Sequence, residues 1–190
     1  MIIDVQGSPI FAYTGGKAHQ SGQPTVVFIH GGGFTGGDKA EQRSSSVSAD
    51  LARAGYVVVS CNYVLGAKTK EGVWPRNIAD CRAAVRWVRG HAAELGVHPE
   101  KIAVAGGSAG GYVALRVVEH APELVAGAAV VYPVSDPTSL FEATHRFEAH
   151  YDYSLVGPAT RPVDPASIRR PIQILHGDSD PVVPLDQSIR

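Results

Sequence analysis

The stretch Lys101-Ile-Ala-Val-Ala-Gly-Gly-Ser-Ala-Gly-Gly111 decides the fold of this 190-residue chain. Lys101–Ala105 has the pattern of a buried strand, and apolar residues at helical spacing follow the glycines. Between them, Gly106 to Gly110 match the pattern G-x-S-x-G. A sharp turn from strand to helix crowds the residues around Ser108, and glycines two positions before and after it relieve that crowding. The stretch therefore predicts a serine hydroxyl that points out from a sheet edge, at the N-terminus of a helix.

The rest of the chain repeats this alternation of apolar strands and amphipathic helices. Further strands are predicted at Ile2–Val5, Ile10–Tyr13, Thr25–His30, Tyr56–Ser60, Val125–Tyr132 and Pro171–His176. Helices are predicted after Asp38, ending at Leu51–Ala54, and around Ile78–Val88, ending near Gly90. Strands that are apolar throughout indicate a parallel sheet covered on both faces. We therefore predict an α/β fold with a mostly parallel, doubly wound sheet, in a single domain over residues 1–190.

One long segment, Asp136–Arg170, follows neither a helical nor a strand period. It is rich in Pro, His, Phe and Tyr. An irregular stretch of this length between two strands is usually functional. We expect residues 136–170 to form a lid or a pocket wall.

The composition argues against several classes of function. Apolar residues make up 44% of the chain and charged residues 18%, which is typical of a globular protein. The net charge of −1 offers no basic surface for nucleic acid or an anionic membrane. No apolar run reaches the length of a membrane span, and the N-terminus lacks the order of a signal peptide. Cys61 and Cys81 lack metal-site or redox spacing, so we expect free thiols in a reducing, cytoplasmic location.

A second glycine-rich motif, His30-Gly-Gly-Gly-Phe34, directly follows the predicted strand Thr25–His30. A tetrahedral intermediate of acyl transfer needs two or three N–H donors aimed at one oxygen, and glycine lets the backbone reach it. The expected donors are the N–H groups of Gly32, Gly33 and Ala109. We interpret His30 as a structural residue that holds this loop by a backbone hydrogen bond.

The same place allows a rival interpretation, because Gly31, Gly33 and Gly36 spell G-x-G-x-x-G after a strand. A dinucleotide site would open directly into a helix, and the next strand would end in an acidic residue. Here Gly37-Asp38-Lys39 follow the glycines instead of a helix start. The next strand is followed by Cys61 and Asn62, neither of which is acidic. No cofactor is therefore predicted.

A third motif, Leu175-His-Gly-Asp-Ser-Asp-Pro-Val-Val-Pro184, follows the last predicted strand. A carboxylate at the C-terminal end of a strand can orient a catalytic histidine and stabilise its cation. We prefer Asp180 to Asp178 for this role.

With these three motifs, the chain resembles the α/β-hydrolase fold superfamily, in its esterase/lipase branch with an H-G-G-G oxyanion loop. That branch includes hormone-sensitive-lipase-like carboxylesterases and bacterial feruloyl or acetyl-xylan esterases. The resemblance runs from about Thr25 to Asp186. It implies that Ser108 is the nucleophile, that Asp180 is the triad acid and that Asp80 has a structural role.

The chain departs from this family in its histidines. The family's triad runs in the order Ser, acid, His, but no histidine follows Asp180 in the sequence. We therefore expect a C-terminally incomplete domain that lacks the last helix and strand and leaves the strand before Asp180 as an uncovered edge. His176 matches the family's loop-shaping histidine and is one alternative for the base. His145 and His150 are others, since they could fold over the pocket.

The function predicted from these observations is hydrolysis of small uncharged acyl esters through an acyl-enzyme. The expected pocket residues are apolar or aromatic, namely Phe34, Phe141, Phe147, Tyr151 and Tyr153. Two alternatives stay open: an arylformamidase-like amidase, and a degenerate binding module without catalysis. No metal is expected, because His145, Glu148 and His150 lack the spacing of a helical zinc motif. The sequence does not define an oligomeric state.

Overall fold

A computed structural model describes residues 2–4, 10–13, 22–66, 74–144 and 161–189. The strands are β1 Ile2–Asp4, β2 Ile10–Tyr13, β3 Gln23–Ile29, β4 Val57–Cys61, β5 Val97–Gly107, β6 Gly127–Val131 and β7 Ile172–Leu175. The helices are α1 Gln42–Arg53, α2 Arg76–Gly90, α3 Ala92–Leu95, α4 Ala109–His120, α5 Pro137–Thr144 and α6 Asp186–Ile189.

The strands form one seven-stranded sheet in the order β1-β2-β4-β3-β5-β6-β7. The pairs from β4 to β7 are all parallel, whereas β1 and β2 join antiparallel at the other edge. The predicted α/β class and its mostly parallel sheet are confirmed. In parallel sheets, loops at the carboxyl ends of neighbouring strands meet along one edge of the sheet.

Side chains of β3 alternate between the two faces of the sheet, as the period of a strand requires. Val27 and Ile29 join the larger core, with residues of α2 and α4. Val26 and Phe28 face a smaller cluster that includes Ala52 of α1. Helices therefore cover both faces of the central strands, which explains why these strands are apolar throughout.

The prediction of an irregular segment over Asp136–Arg170 is wrong at its start, where α5 forms. The Asp136 carboxylate accepts hydrogen bonds from the N–H groups of Thr138 and Ser139, at 3.1 and 3.2 Å. An aspartate in this position followed by proline is a common helix start, so Asp136-Pro137 was the missed signal. Residues 145–160 lie outside the described part of the chain, and their role as a lid stays a prediction.

Strand β7 is an edge of the sheet and exposes apolar side chains. Ile174 is 42% exposed and Leu175 is 54% exposed. The other parallel strands have largely buried side chains. Within the described ranges, no helix is both long and apolar enough to cross a membrane.

Candidate active site

Ser108 occupies the turn between β5 and α4 in a strained backbone conformation. Its φ is +54° and its ψ is −125°, outside the regions that residues with a side chain normally adopt. Its N–H donates to the carbonyl of Val131, at the end of β6 (3.2 Å). Its own carbonyl accepts from the N–H groups of Tyr112 (3.1 Å) and Val134 (3.3 Å). Contacts from two neighbouring segments therefore hold this conformation.

The glycines two positions on either side of Ser108 sit where no side chain fits. A β-carbon built on Gly106 would lie 2.6 Å from the carbonyl oxygen of Gly110. One built on Gly110 would lie 2.2 Å from the carbonyl oxygen of Ile29 and 2.5 Å from that of His30. The crowding predicted from the motif is present, and at Gly110 it arises from Ile29 and His30 at the end of β3.

The glycine-rich loop after β3 lies directly against the Ser108 turn. A β-carbon built on Gly31 would lie 3.6 Å from the Cβ of Ser108. Gly32 and Gly33 have φ values of +108° and +60°, which favour glycine. The two glycine motifs therefore meet because β3 and β5 are adjacent and in register, with Ile29 beside Gly106.

The three predicted oxyanion donors all lie at this junction. Gly32 and Gly33 belong to the loop, and Ala109 is the first residue of α4. Among the hydrogen bonds of the described residues, none uses the backbone N–H of Gly32, Gly33 or Ala109 as a donor. The first N–H groups of a helix have no partner within it, and its N-terminus carries a partial positive charge. This arrangement can stabilise negative charge on an oxygen next to Ser108.

His30 is buried, and its side chain holds the loop by a hydrogen bond to the loop backbone, as predicted. It is 1% exposed, and its Nδ1 lies 2.7 Å from the carbonyl oxygen of Gly31. Its ring stacks on Tyr63, with centroids 4.4 Å apart. A carbonyl can only accept, so Nδ1 carries the proton in this contact.

Phe34, expected in the substrate pocket, is 1% exposed in the structure. Its ring makes edge-on contacts with Trp74 and Tyr112, at centroid distances of 5.5 and 5.7 Å. The structure thus places Phe34 in the core, with a positive backbone φ of +65°.

The remaining predicted pocket residues are not described in full. The backbone of Phe141 lies in α5. Phe147, Tyr151 and Tyr153 lie outside the described residues, as do His145, Glu148 and His150. Within the ranges that are described, no group of three His, Cys, Asp or Glu side chains is arranged to hold a metal ion.

Asp180 lies in the turn after β7 and keeps one carboxylate oxygen largely uncommitted. Its Oδ1 accepts from the N–H groups of Val182 (2.8 Å) and Val183 (2.9 Å). Its Oδ2 lies 3.8 Å from His176 Nε2, beyond the range of a hydrogen bond. Asp178, the other candidate, is exposed and contacts the hydroxyl of Ser179. Geometry therefore favours Asp180 as the acid that orients a histidine.

His176 uses both ring nitrogens within its own loop. Its side chain is 2% exposed. Nε2 donates to the carbonyl of Val183 (2.8 Å), so Nδ1 accepts from the hydroxyl of Ser188 (2.6 Å). A general base needs a nitrogen free to take a proton, so His176 has the loop-shaping role implied by the resemblance.

Two polar anchors hold the surroundings of the glycine loop. The Asp80 carboxylate accepts from the N–H of Val64 (2.9 Å), which agrees with its expected structural role. The Asp38 carboxylate accepts from the Asn62 amide (2.8 Å). Burial acts to raise the pKa of Asp38, but hydrogen bonds from Asn62 and Ala40 hold the pKa below its usual value. Asn62 directly follows β4, a position that could have signalled this contact.

A sequence profile of the BD-FAE family matches residues 13–121. The chain belongs to the BD-FAE family. Esterase LipQ of Mycobacterium tuberculosis is 30% identical over 188 residues, covering 87% of the chain and 44% of LipQ. Carboxylesterase NlhH of the same species is 40% identical over 101 residues, covering 53% of the chain and 30% of NlhH.

Solved esterase structures share the fold. Propionate-bound Est2 of Thermogutta terrifontis is 30% identical with a TM-score of 0.72, covering 95% of this chain and 70% of that one. The Lactobacillus plantarum carboxylesterase Cest-2923 has a TM-score of 0.79 at 22% identity, covering 100% of this chain and 75% of that one. The chain spans less than half the length of the mycobacterial relatives LipQ and NlhH. Membership of the α/β-hydrolase esterase/lipase group is thereby confirmed.

Proposed function

We propose that this chain carries the nucleophile and the oxyanion site of a serine carboxylic-ester hydrolase. The observation that carries the proposal is the contact between the strained Ser108 turn and the loop of Gly31 to Gly33. A backbone conformation of this cost is retained where surrounding contacts enforce it, and such sites cluster at active centres. The names of the esterase relatives support the same class of reaction.

In this mechanism, the hydroxyl of Ser108 attacks the ester carbonyl carbon and transfers its proton to a general base. The π electrons of the carbonyl move to its oxygen, which the N–H groups of Gly32, Gly33 and Ala109 stabilise. The C–O bond to the alcohol then breaks, and the base returns the proton to the leaving alkoxide. Water next attacks the acyl-enzyme by the same route, which releases the acid and restores Ser108.

We place the general base in a histidine outside the 190 residues, oriented by Oδ2 of Asp180. Oδ1 is held by two backbone N–H groups, so the carboxylate keeps one fixed orientation. His176 has no free nitrogen for this task. His145 and His150 are the alternatives within the chain.

The expected substrate is an ester of a small uncharged acid. The aromatic residues of the 141–153 segment favour an apolar acyl group, and Est2, at 30% identity, was solved with propionate bound. Acyl groups of two to four carbons are therefore the first to test. We expect no metal or other cofactor in this reaction, because the oxyanion is stabilised by backbone N–H groups alone.

The test is hydrolysis of 4-nitrophenyl acetate by the protein extended through its reading frame. We expect a burst of nitrophenol that Ser108→Ala abolishes, with a fall in turnover of at least about 10³-fold. Ser46→Ala, an exposed serine in α1, is the matched control and should leave turnover unchanged. Unchanged turnover in Ser108→Ala would overturn the proposal.

The 190-residue chain itself offers a second test. Added imidazole should accelerate ester cleavage by this chain beyond the background rate of imidazole, and Ser108→Ala should remove that excess. An aryl formamide assayed beside the ester distinguishes an amidase. If a fluorophosphonate probe fails to label Ser108 in the extended protein, the chain is a non-catalytic binding module instead.

A further inference from the structure

We propose that Tyr63 is a positioning residue whose hydroxyl fixes the direction of the Gly32 N–H in the oxyanion site. The proposal rests on the function proposed above. Tyr63 follows β4 by two residues and contributes nothing to the three sequence motifs. Tyr63 is 5% exposed and lies in the core.

The hydroxyl of Tyr63 lies against two successive carbonyl groups of the glycine loop. It donates to the carbonyl of His30 at 3.0 Å and lies 3.4 Å from the carbonyl oxygen of Gly31. The same Gly31 carbonyl accepts from Nδ1 of His30. Since the two rings stack at an interplanar angle of 15°, His30 and Tyr63 form one buried unit facing these carbonyls.

Hydrogen bonds that fix the direction of a carbonyl also fix the direction of the N–H group of the next residue. In a planar trans peptide, the C=O of one residue and the N–H of the next point in opposite directions. The Gly31 carbonyl points toward His30 and Tyr63, so the Gly32 N–H points away from them. That N–H is the donor assigned to the oxyanion.

A loop of three glycines needs such a device, because glycine adopts many backbone conformations of similar energy. Rotation of the Gly31–Gly32 peptide would turn the donor away from the oxyanion. Burial raises the pKa of Tyr63 well above its ordinary value, with the nearby thiols of Cys81 and Cys61 acting in the same direction. The hydroxyl therefore keeps its proton and remains a donor across the working pH range.

Gly37 packs against the contact between His30 and the Gly31 carbonyl. A β-carbon built there would lie 2.3 Å from Nδ1 of His30 and 2.5 Å from the Gly31 oxygen. The backbone of Gly37, with a φ of +99°, thus packs directly on the hydrogen bond between them. No side chain would fit at this position.

The test is Tyr63→Phe, which removes the hydroxyl and keeps the ring stacked on His30. We expect kcat to fall about tenfold and KM to change less than twofold, because an oxyanion donor acts in the transition state. Thr25→Val is the matched control. It removes another buried hydroxyl and nearly keeps the size of the side chain, at the end of β3 opposite the glycine loop. This control should leave kcat within twofold.

A second measurement does not depend on activity. Residual dipolar coupling of the Gly32 N–H in the 190-residue chain reports the direction of that bond. Tyr63→Phe should change this coupling, and Thr25→Val should not. An unchanged coupling, or a kcat loss matched by Thr25→Val, would overturn the positioning role. If the parent protein hydrolyses no ester, the function proposed above fails, and the coupling alone then decides whether Tyr63 sets the loop.

Discussion

Replacement of Gly110 by alanine should damage both the stability of the protein and the alignment of Ser108. The new β-carbon would lie 2.2 Å from the carbonyl oxygen of Ile29 and 2.5 Å from that of His30. Both neighbours are backbone atoms at the end of a central strand, so they cannot rotate away as a side chain can. Relief of the closest contact requires a shift of about 0.8 Å between α4 and β3.

The expected cost follows from this overlap. Overpacking in a rigid site costs about 3 kcal/mol, and the helix propensity of alanine returns about 1 kcal/mol. A net loss of about 2 kcal/mol lowers the melting temperature of a domain of this size by about 4–8 °C. The same shift separates Ser108 from the oxyanion donors, and a misplacement of about 1 Å can cost about 10²-fold in rate.

The assay is thermal unfolding of the 190-residue chain, followed by circular dichroism, beside ester turnover of the extended protein. Gly90→Ala is the matched control. It makes the same change at the end of α2, where nothing lies within 4 Å of the added carbon. That variant should gain about 0.5–1 kcal/mol in stability. A Gly110→Ala protein that melts at or above the parent temperature would refute the close packing of α4 on β3.

Three further predictions concern α4 and β7. Arg116→Met should cost about 3–5 kcal/mol in urea unfolding, because it leaves the nearly buried Glu119 carboxylate without its 2.6 Å partner. Burial, with help from Arg116, holds the pKa of His120 below its ordinary value of 6.5. The unfolded chain therefore binds this proton more readily, and stability is lost as pH falls from about 6.5 through the folded pKa. His120→Gln should flatten that loss in urea midpoints measured across pH, and an equal slope in both proteins would contradict it. Leu175→Lys should reduce self-association in light scattering, since it places a charge on an exposed edge strand, and should change stability by less than about 0.5 kcal/mol.

The sequence predicted the centre of the molecule well because its signals there are local. The residues directly before the Ser108 turn, Ile102–Ala105 of β5, are apolar, and glycine is the residue that such crowded turns demand. The contact of Gly110 with the end of β3 strengthens the same preference from outside the turn. Local and tertiary demands coincide at these positions, so a pattern of five residues was enough.

Prediction failed where the deciding contact lies far away in the chain. Phe34 has the aromatic side chain expected in an apolar pocket, but its ring packs edge-on against Trp74 and Tyr112 in the core. Tyr63 reaches His30 across 33 positions of sequence, and no motif marks that contact. Helix α5 was missed for a different reason. Its start signal at Asp136 is local, but the irregular residues after it outweighed that signal.

The order of the strands supports the proposal that the acid is Asp180, after β7. Neighbouring strands lie about 4.8 Å apart, and β7 is two strands from β5, which gives a separation of about 10 Å. An imidazole with a hydrogen bond on each side spans roughly 8 Å between a serine oxygen and a carboxylate oxygen. The gap between the ends of β5 and β7 therefore suits one histidine ring between Ser108 and Asp180.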